Sequence, residues 1–170
     1  ASGWVLEAGS ALSGNDNTDA DPEVLVAIGE LSTSIGAADI TEVEMVTTTA
    51  DKSEGFTISV RVRYNEPVDV VTTGGTPTLA VTNSNAGSGS GRGPHSLSYA
   101  SGTGTNELIF SLAIAAANAA TNADDVLSVG AQTIALNSGT IKDASGTASD
   151  AALVISGALG TAAGTVTVTA

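Results

Sequence analysis

Phe56-Thr57-Ile58-Ser59-Val60-Arg61-Val62-Arg63-Tyr64 is the stretch that decides the fold. Apolar side chains occupy every second position and polar ones fill the gaps. Successive side chains of an extended strand point to opposite faces, so this period of two predicts a strand. A helix would need a period near 3.6. Phe56, Ile58, Val60, Val62 and Tyr64 fall on the inward face. Arg61 and Arg63 fall on the outward face and read as surface charges opposite acidic neighbours. Asn65-Glu66-Pro67 is expected to end the strand, because proline has no N–H to give to a central ladder.

The same alternation recurs along the chain. Val68, Val70 and Val71 precede a Gly74-Gly75 turn, and Pro77 to Thr82 forms a strand with Leu79 and Val81 inward. Residues 83–95 are rich in Gly and Ser, with neither period, and read as a flexible loop. Leu97 and Tyr99 resume the pattern. After turns at Gly102 and Gly104, Leu108, Phe110, Leu112 and Ile114 make a second long strand. Ala-rich residues 115–123 allow at most one helical turn. Val126 to Val129, Ile134 to Leu136, Ile141 and Leu153-Val154-Ile155 are short strands, separated by turns at Asn137-Ser138-Gly139 and Asp143-Ala144-Ser145-Gly146. Thr165-Val166-Thr167-Val168-Thr169 alternates again and is β-branched throughout. Many short strands with regularly recurring turns predict an all-β antiparallel β-sandwich.

Toward the N-terminus, Ile40, Val43 and Met45 lead into Thr47-Thr48-Thr49. Residues 24–28, Val-Leu-Val-Ala-Ile, suit a buried strand or the start of a short helix, which periodicity alone does not separate. Residues 1–23 read as an arm, with a short apolar cluster at Trp4, Val5 and Leu6 followed by a polar, acidic, turn-rich segment. Trp4 either tucks onto the domain that follows or anchors in a neighbouring subunit, where Trp is enriched. The expected organisation is an arm over 1–23, a sandwich over 24–156 and a C-terminal tail strand over 157–170.

Composition excludes several classes. There is no cysteine, hence no disulfide framework and no thiolate metal site. Five Lys and Arg against 18 Asp and Glu give a net charge of -13, which opposes nucleic-acid binding. No apolar run is long enough for a membrane-spanning helix. Aromatics are only 3% of the chain, so Val, Leu, Ile and Ala must build the core around Phe56, Tyr64, Tyr99 and Phe110. The first residues carry no basic segment followed by an apolar one, so no secretory signal is visible. The Ala1-Ser2 start is expected of a protein made in the cytoplasm and trimmed of its initiator Met. The rival expectation is a mature exported chain or an excised repeat.

Three stretches in order over residues 40–152 carry a family resemblance. The first is Tyr64-Asn65-Glu66-Pro67-Val68 at the end of the alternating strand. The second is Pro77-Thr78-Leu79 followed by Tyr99-Ala100-Ser101-Gly102-Thr103-Gly104-Thr105-Asn106-Glu107-Leu108-Ile109-Phe110. The third is Leu136-Asn137-Ser138-Gly139-Thr140-Ile141-Lys142-Asp143-Ala144-Ser145-Gly146. They resemble the aromatic-Ser-Glu-Pro-Val, Tyr-x-Ser-Gly-x-Gly-Thr-Asn-x-Leu-x-Phe and Leu-Asn-Gly-Gly-Thr-Ile-Lys-Asp-Ala-x-Gly segments of a family of bacterial immunoglobulin-like repeats. Those repeats occur in tandem in cell-surface and adhesin-like proteins. The resemblance implies an immunoglobulin-like sandwich and leaves function open, because such folds host many roles. One copy is present here, flanked by an arm and a tail. Phages use immunoglobulin-like domains in capsid-surface and tail proteins, an analogy that suits a single copy.

Catalytic chemistry is not expected. His95 follows Pro94 in the Gly-rich loop with no acid beside it, and reads as an exposed loop histidine. Gly87 to Gly93 lacks the Lys and hydroxyl of a phosphate loop. No carboxylate pair stands out for glycoside hydrolysis. Asn15, Asn17, Asp19 and Asp21 offer the alternating hard oxygens that suit calcium. Ala20 stands where an EF-hand loop needs Gly, so solvated acidic turns are the competing reading. No cofactor is expected beyond that weak calcium candidate.

The first functional expectation is a non-enzymatic virion protein, a decoration or cement protein on a phage capsid. Its partner would be the major capsid protein or another virion protein, in a homo-oligomer or symmetric array, without nucleic acid or membrane. Trp4, Val5, Leu6, Val166 and Val168 are the expected interface residues, pairing with edge strands of neighbours. The alternative is an extracellular adhesin or surface-layer module, calcium-dependent in one version.

Overall fold

Strand alternation governs most of this chain, and in the computed structural model it resolves into thirteen strands and one short helix among the described residues. These residues are 2–6, 23–28, 37–85, 93–118, 120–144 and 148–170. In chain order they form β1 (Ser2–Leu6), β2 (Glu23–Ile28), β3 (Ile40–Met45), β4 (Ala50–Asp51), β5 (Phe56–Val71), β6 (Thr78–Asn85) and β7 (His95–Ser101). Then come β8 (Thr105–Ile114), β9 (Asp125–Ser128), β10 (Gln132–Thr133), β11 (Thr140–Asp143), β12 (Val154–Ile155), α1 (Gly157–Ala162) and β13 (Thr165–Thr169). The all-β class expected from alternation is what the protein adopts. Two compact units divide the chain, Ala1–Ile35 and Gly36–Ala170.

The first unit contains the antiparallel pair β1–β2, with a register shift between Trp4 and Val5. Residues 24–28 are therefore strand. They pair with the expected arm inside this unit, whereas the sequence reading placed them in the sandwich.

In the second unit the strand order is β11-β5-β8-β7-β6-β9-β13-β4, with β3 also on β5. All these pairs are antiparallel except β13 with β4. A separate small pair joins β10 and β12. β6 serves two neighbours in turn: Thr78–Val81 face β7, and Thr82–Asn85 face β9.

β5 does not stop at Pro67. Alternation runs through it in phase, with Glu66 and Val68 buried and Asn65, Pro67 and Asp69 exposed. Proline is tolerated because it sits at a handover between partners. β3 covers Val60 to Tyr64, β11 covers Val68 to Val71, and the β8 register shifts between Arg63 and Val68. The Pro67 carbonyl still accepts from Ala144 N–H at 3.0 Å.

The core collects Ile58, Val60, Val62, Leu79, Leu97, Leu108, Phe110, Leu127, Ile134, Ile155 and Val168, all with 2% exposure or less. Tyr64 and Phe110 are fully within it, whereas Phe56 and Tyr99 pack against it only partly buried. Tyr99 meets Phe110 edge to face at 6.1 Å between ring centres. The Tyr64 hydroxyl donates to the Ala152 carbonyl at 3.0 Å, and burial raises its pKa. That bond satisfies the one polar atom the ring carries inward.

The C-terminal segment is built into this core. Ser156 caps α1, its Oγ accepting the Leu159 N–H, and β13 then lies between β9 and β4. Val166 and Val168 are buried at 5% and 0% exposure. The expectation that they offer themselves to a neighbouring subunit is corrected: alternation put both valines on one face, and this chain's own core covers that face.

Candidate functional site

Three places gather polar or unpaired groups. The first is the β1–β2 ribbon. Its strands are five and six residues long, and among the described residues neither pairs with any other strand. Trp4 is the cross-strand partner of Val26, and Val5 of Val24. A two-stranded ribbon has two outer edges of backbone N–H and C=O groups, and such an edge is a template for another strand. Trp4, Val5 and Leu6, expected at an interface, all lie in this ribbon.

The second place is an ion ladder on the outer face of β3, β5 and β8. The ladder register sets Glu42 beside Arg63 and Arg63 beside Glu107, with Glu44 beside Arg61 in the next row. Arg63 Nη1 lies 2.7 Å from Glu42 Oε2, and Arg63 Nη2 lies 2.6 Å from Glu107 Oε1. Arg63 Nε also donates to Glu107 at 2.9 Å. Arg61 pairs with Glu44 and lies 3.6 Å from Glu107 Oε2. The Arg63 hydrogen bond holds the Glu107 carboxyl below its ordinary range, and Glu107 in turn raises the Arg63 guanidinium. The two arginines face acidic neighbours, as the alternation suggested. Lys142 and Asp150 form a further exposed pair at 2.9 Å.

The third place is a buried polar cluster where β6, β7 and β9 meet. His95 opens β7 at 5% exposure, which corrects the expectation of an exposed loop histidine. Its Nε2 lies 2.9 Å from Thr121 Oγ1. Asn83 donates Nδ2 to Asp125 Oδ2 at 2.9 Å and to the Ala120 carbonyl at 2.7 Å. The Asn122 N–H donates to the same Asp125 oxygen at 2.7 Å. Burial pulls the His95 pKa down, and the Asp125 charge opposes this.

Sequence reading missed this cluster because His95 lies 26 positions from Thr121, and Asn83 lies 42 from Asp125. The one available signal was that His95 begins the run His95-Ser96-Leu97-Ser98-Tyr99, where odd positions face inward. A hydroxyl, an imidazole and a nearby carboxylate are the ingredients of nucleophilic catalysis. Here Thr121 has 0% exposure, so its hydroxyl serves as an internal hydrogen-bonding partner.

Asn15, Asn17, Asp19 and Asp21 lie outside the described residues. Among the described residues no group of three His, Asp or Glu side chains is placed to hold a metal, and no pocket is open. No helix among them is long and apolar enough to cross a membrane. Comparisons with protein-family models, with curated proteins and with solved structures found nothing that matches this chain.

Proposed function

We propose that this protein is a non-enzymatic structural component of a virus particle, a decoration or cement protein on a phage capsid. The β1–β2 ribbon carries the reading. It lies in a unit of its own, separate from the β-rich unit that holds the core, and its outer edges meet no other strand among the described residues. Two short strands are marginal alone in water. A ribbon of this kind gains stability by adding to a sheet edge of a neighbour, with main-chain hydrogen bonds supplying affinity. The second unit then serves as the outward body, which we take to be an immunoglobulin-like sandwich. Its charge keeps it soluble and away from the nucleic acid of the host cell in which virion proteins are made. The major capsid protein, or another virion protein repeated in a symmetric array, is the partner in this reading. Mass spectrometry and electron microscopy of purified particles from a source encoding the chain test it. The expected result is the protein on the particle surface, and its absence from particles would overturn the reading.

A second reading, an extracellular adhesin or surface-layer module, is favoured by the three stretches that resemble tandem immunoglobulin-like repeats. A long repeat array with an export signal in the parent reading frame would support it over the first. For the calcium-dependent version, Asn15, Asn17, Asp19 and Asp21 are the candidate ligands. Melting in millimolar calcium is the check: a bound ion would raise Tm, and an unchanged Tm removes that version.

A further inference from the structure

We infer that residues 120–123 form a strap that acid releases, with the His95 imidazole as the pin that holds it down. The inference concerns the β-rich unit by itself and does not depend on the capsid reading.

The strap lies between β8 and β9. Ala120 to Ala123 belong to no strand, and side chains of β6 and β7 tie them down. Asn83 of β6 donates Nδ2 to the Ala120 carbonyl at 2.7 Å. His95 of β7 holds Thr121 Oγ1 at 2.9 Å from its Nε2, and Thr121 has no exposure. The Ala120 and Asn122 N–H groups turn to near neighbours in the chain, Asn118 Oδ1 and Asp125 Oδ2. A segment held by side chains instead of a ladder opens at lower cost than the strands beside it.

Protonation acts on the pin. The neutral ring with its proton on Nδ1 accepts the Thr121 hydroxyl at Nε2. The charged ring is a donor at both nitrogens, so that hydroxyl proton loses its acceptor. An imidazolium at 5% exposure also lacks the water that a cation needs. Lifting the strap relieves both, since it hydrates the ring and frees the hydroxyl. The surrounding charges are few. Burial lowers the pKa of the ring, and Asp125 at the head of β9 opposes this. From β6 the ring meets Val81 across the ladder, with Asn83 beyond, and neither is charged. No charged residue lies in β7 from His95 to Ser101 or in β8 from Leu108 to Ile114. Beside the strap, Lys52 Nζ is taken by the Ala116 and Asn118 carbonyls, and Asp124 is exposed.

The chain has one histidine, so a proton NMR titration of the full-length protein reads the His95 ring directly. Hydrogen exchange over the same pH range, corrected for the intrinsic rate, compares the amides of 120–123 with those of β5 and β8. The expected ring midpoint lies below about 6.5. Below that midpoint, strap protection should fall about tenfold per pH unit while β5 and β8 keep theirs. His95→Gln should abolish that dependence. A ring that titrates while the strap stays protected overturns the inference. So does strap loss that persists in His95→Gln. Loss shared at once with β5 and β8 overturns it too, because the whole unit would then be unfolding.

Discussion

His95 is held where its imidazole is favoured in the neutral form. Burial lowers its pKa below the ordinary 6.5, with Asp125 pulling the other way. The unfolded chain therefore binds a proton at a higher pH than the folded one, and linkage fixes the sign. The contribution is complete above about pH 6.5 and is lost as pH falls below that value. Tm is expected to drop between about pH 7.5 and 5.5, a range above ordinary carboxylate titration. His95→Gln should flatten that slope in thermal melts followed by circular dichroism. An unchanged slope would remove His95 as its source.

Backbone conformation gives a second test at this scale. Ser138 has φ +70°, in the left-handed region that costs an ordinary residue about 1 kcal/mol or more. Ser138→Gly should stabilise the protein by about 0.5–1 kcal/mol, the relief being offset partly by greater freedom of the unfolded chain. Gly102 is the converse. Its φ is +115°, and a Cβ there would collide with the Glu107 carbonyl. Gly102→Ala should cost more than about 2 kcal/mol in chemical denaturation.

Elements respond through what covers them. In the ladder over β3, β5 and β8, Glu107 is shared by both arginines. Its lowered pKa means that this contribution is present above the ordinary carboxylate range and lost as pH falls through it. Glu107→Gln should lower Tm, and the deficit should shrink in 1 M NaCl, where exposed charges are screened. For β13, Val168 sits in the core with no exposure. Val168→Ala should destabilise by about 2 kcal/mol, and Val168→Asp should prevent folding altogether, since an unpaired charge would be buried. A Val168→Asp chain that melted normally would restore the valine to the surface.

These elements also mark where sequence reading succeeds and stops. Alternation found β5 and β8 and their inward residues, because one buried face imposes a period of two. It did not carry β5 past Pro67, since whether a missing N–H matters depends on which strand lies opposite. It found the alternation of Thr165–Thr169 and gave Val166 and Val168 to a neighbouring subunit, because a period of two does not say whose core covers the valine face. For His95 the glycine-rich neighbourhood decided the reading, because burial of a polar ring depends on a partner, Thr121, that lies 26 positions away.

At the scale of the whole molecule, the second unit's buried apolar cluster runs from Ala38 to Val168. Residues 36–170 made without the first unit carry that cluster themselves and are expected to melt cooperatively in calorimetry. Absence of a cooperative transition would mean that the first unit supports that core. The division also explains why composition was a poor guide to function. It averages an acidic unit without a single basic residue with a unit that spends both strand arginines on its own carboxylates.

The seat of β13 has a consequence for how the protein is made. Thr169 Oγ1 donates to the Ala50 carbonyl across 119 positions, and Val168 pairs with Ala50 where β13 runs parallel to β4. A ribosome delivers β4 and β9 long before residue 165 leaves the exit tunnel. Until then Leu127 and Ala50 border an empty lane, and a nascent chain stalled short of that point displays two adhesive edges. Closure waits for β13, and until it arrives the exposed strand edges are of the kind that chaperones shield.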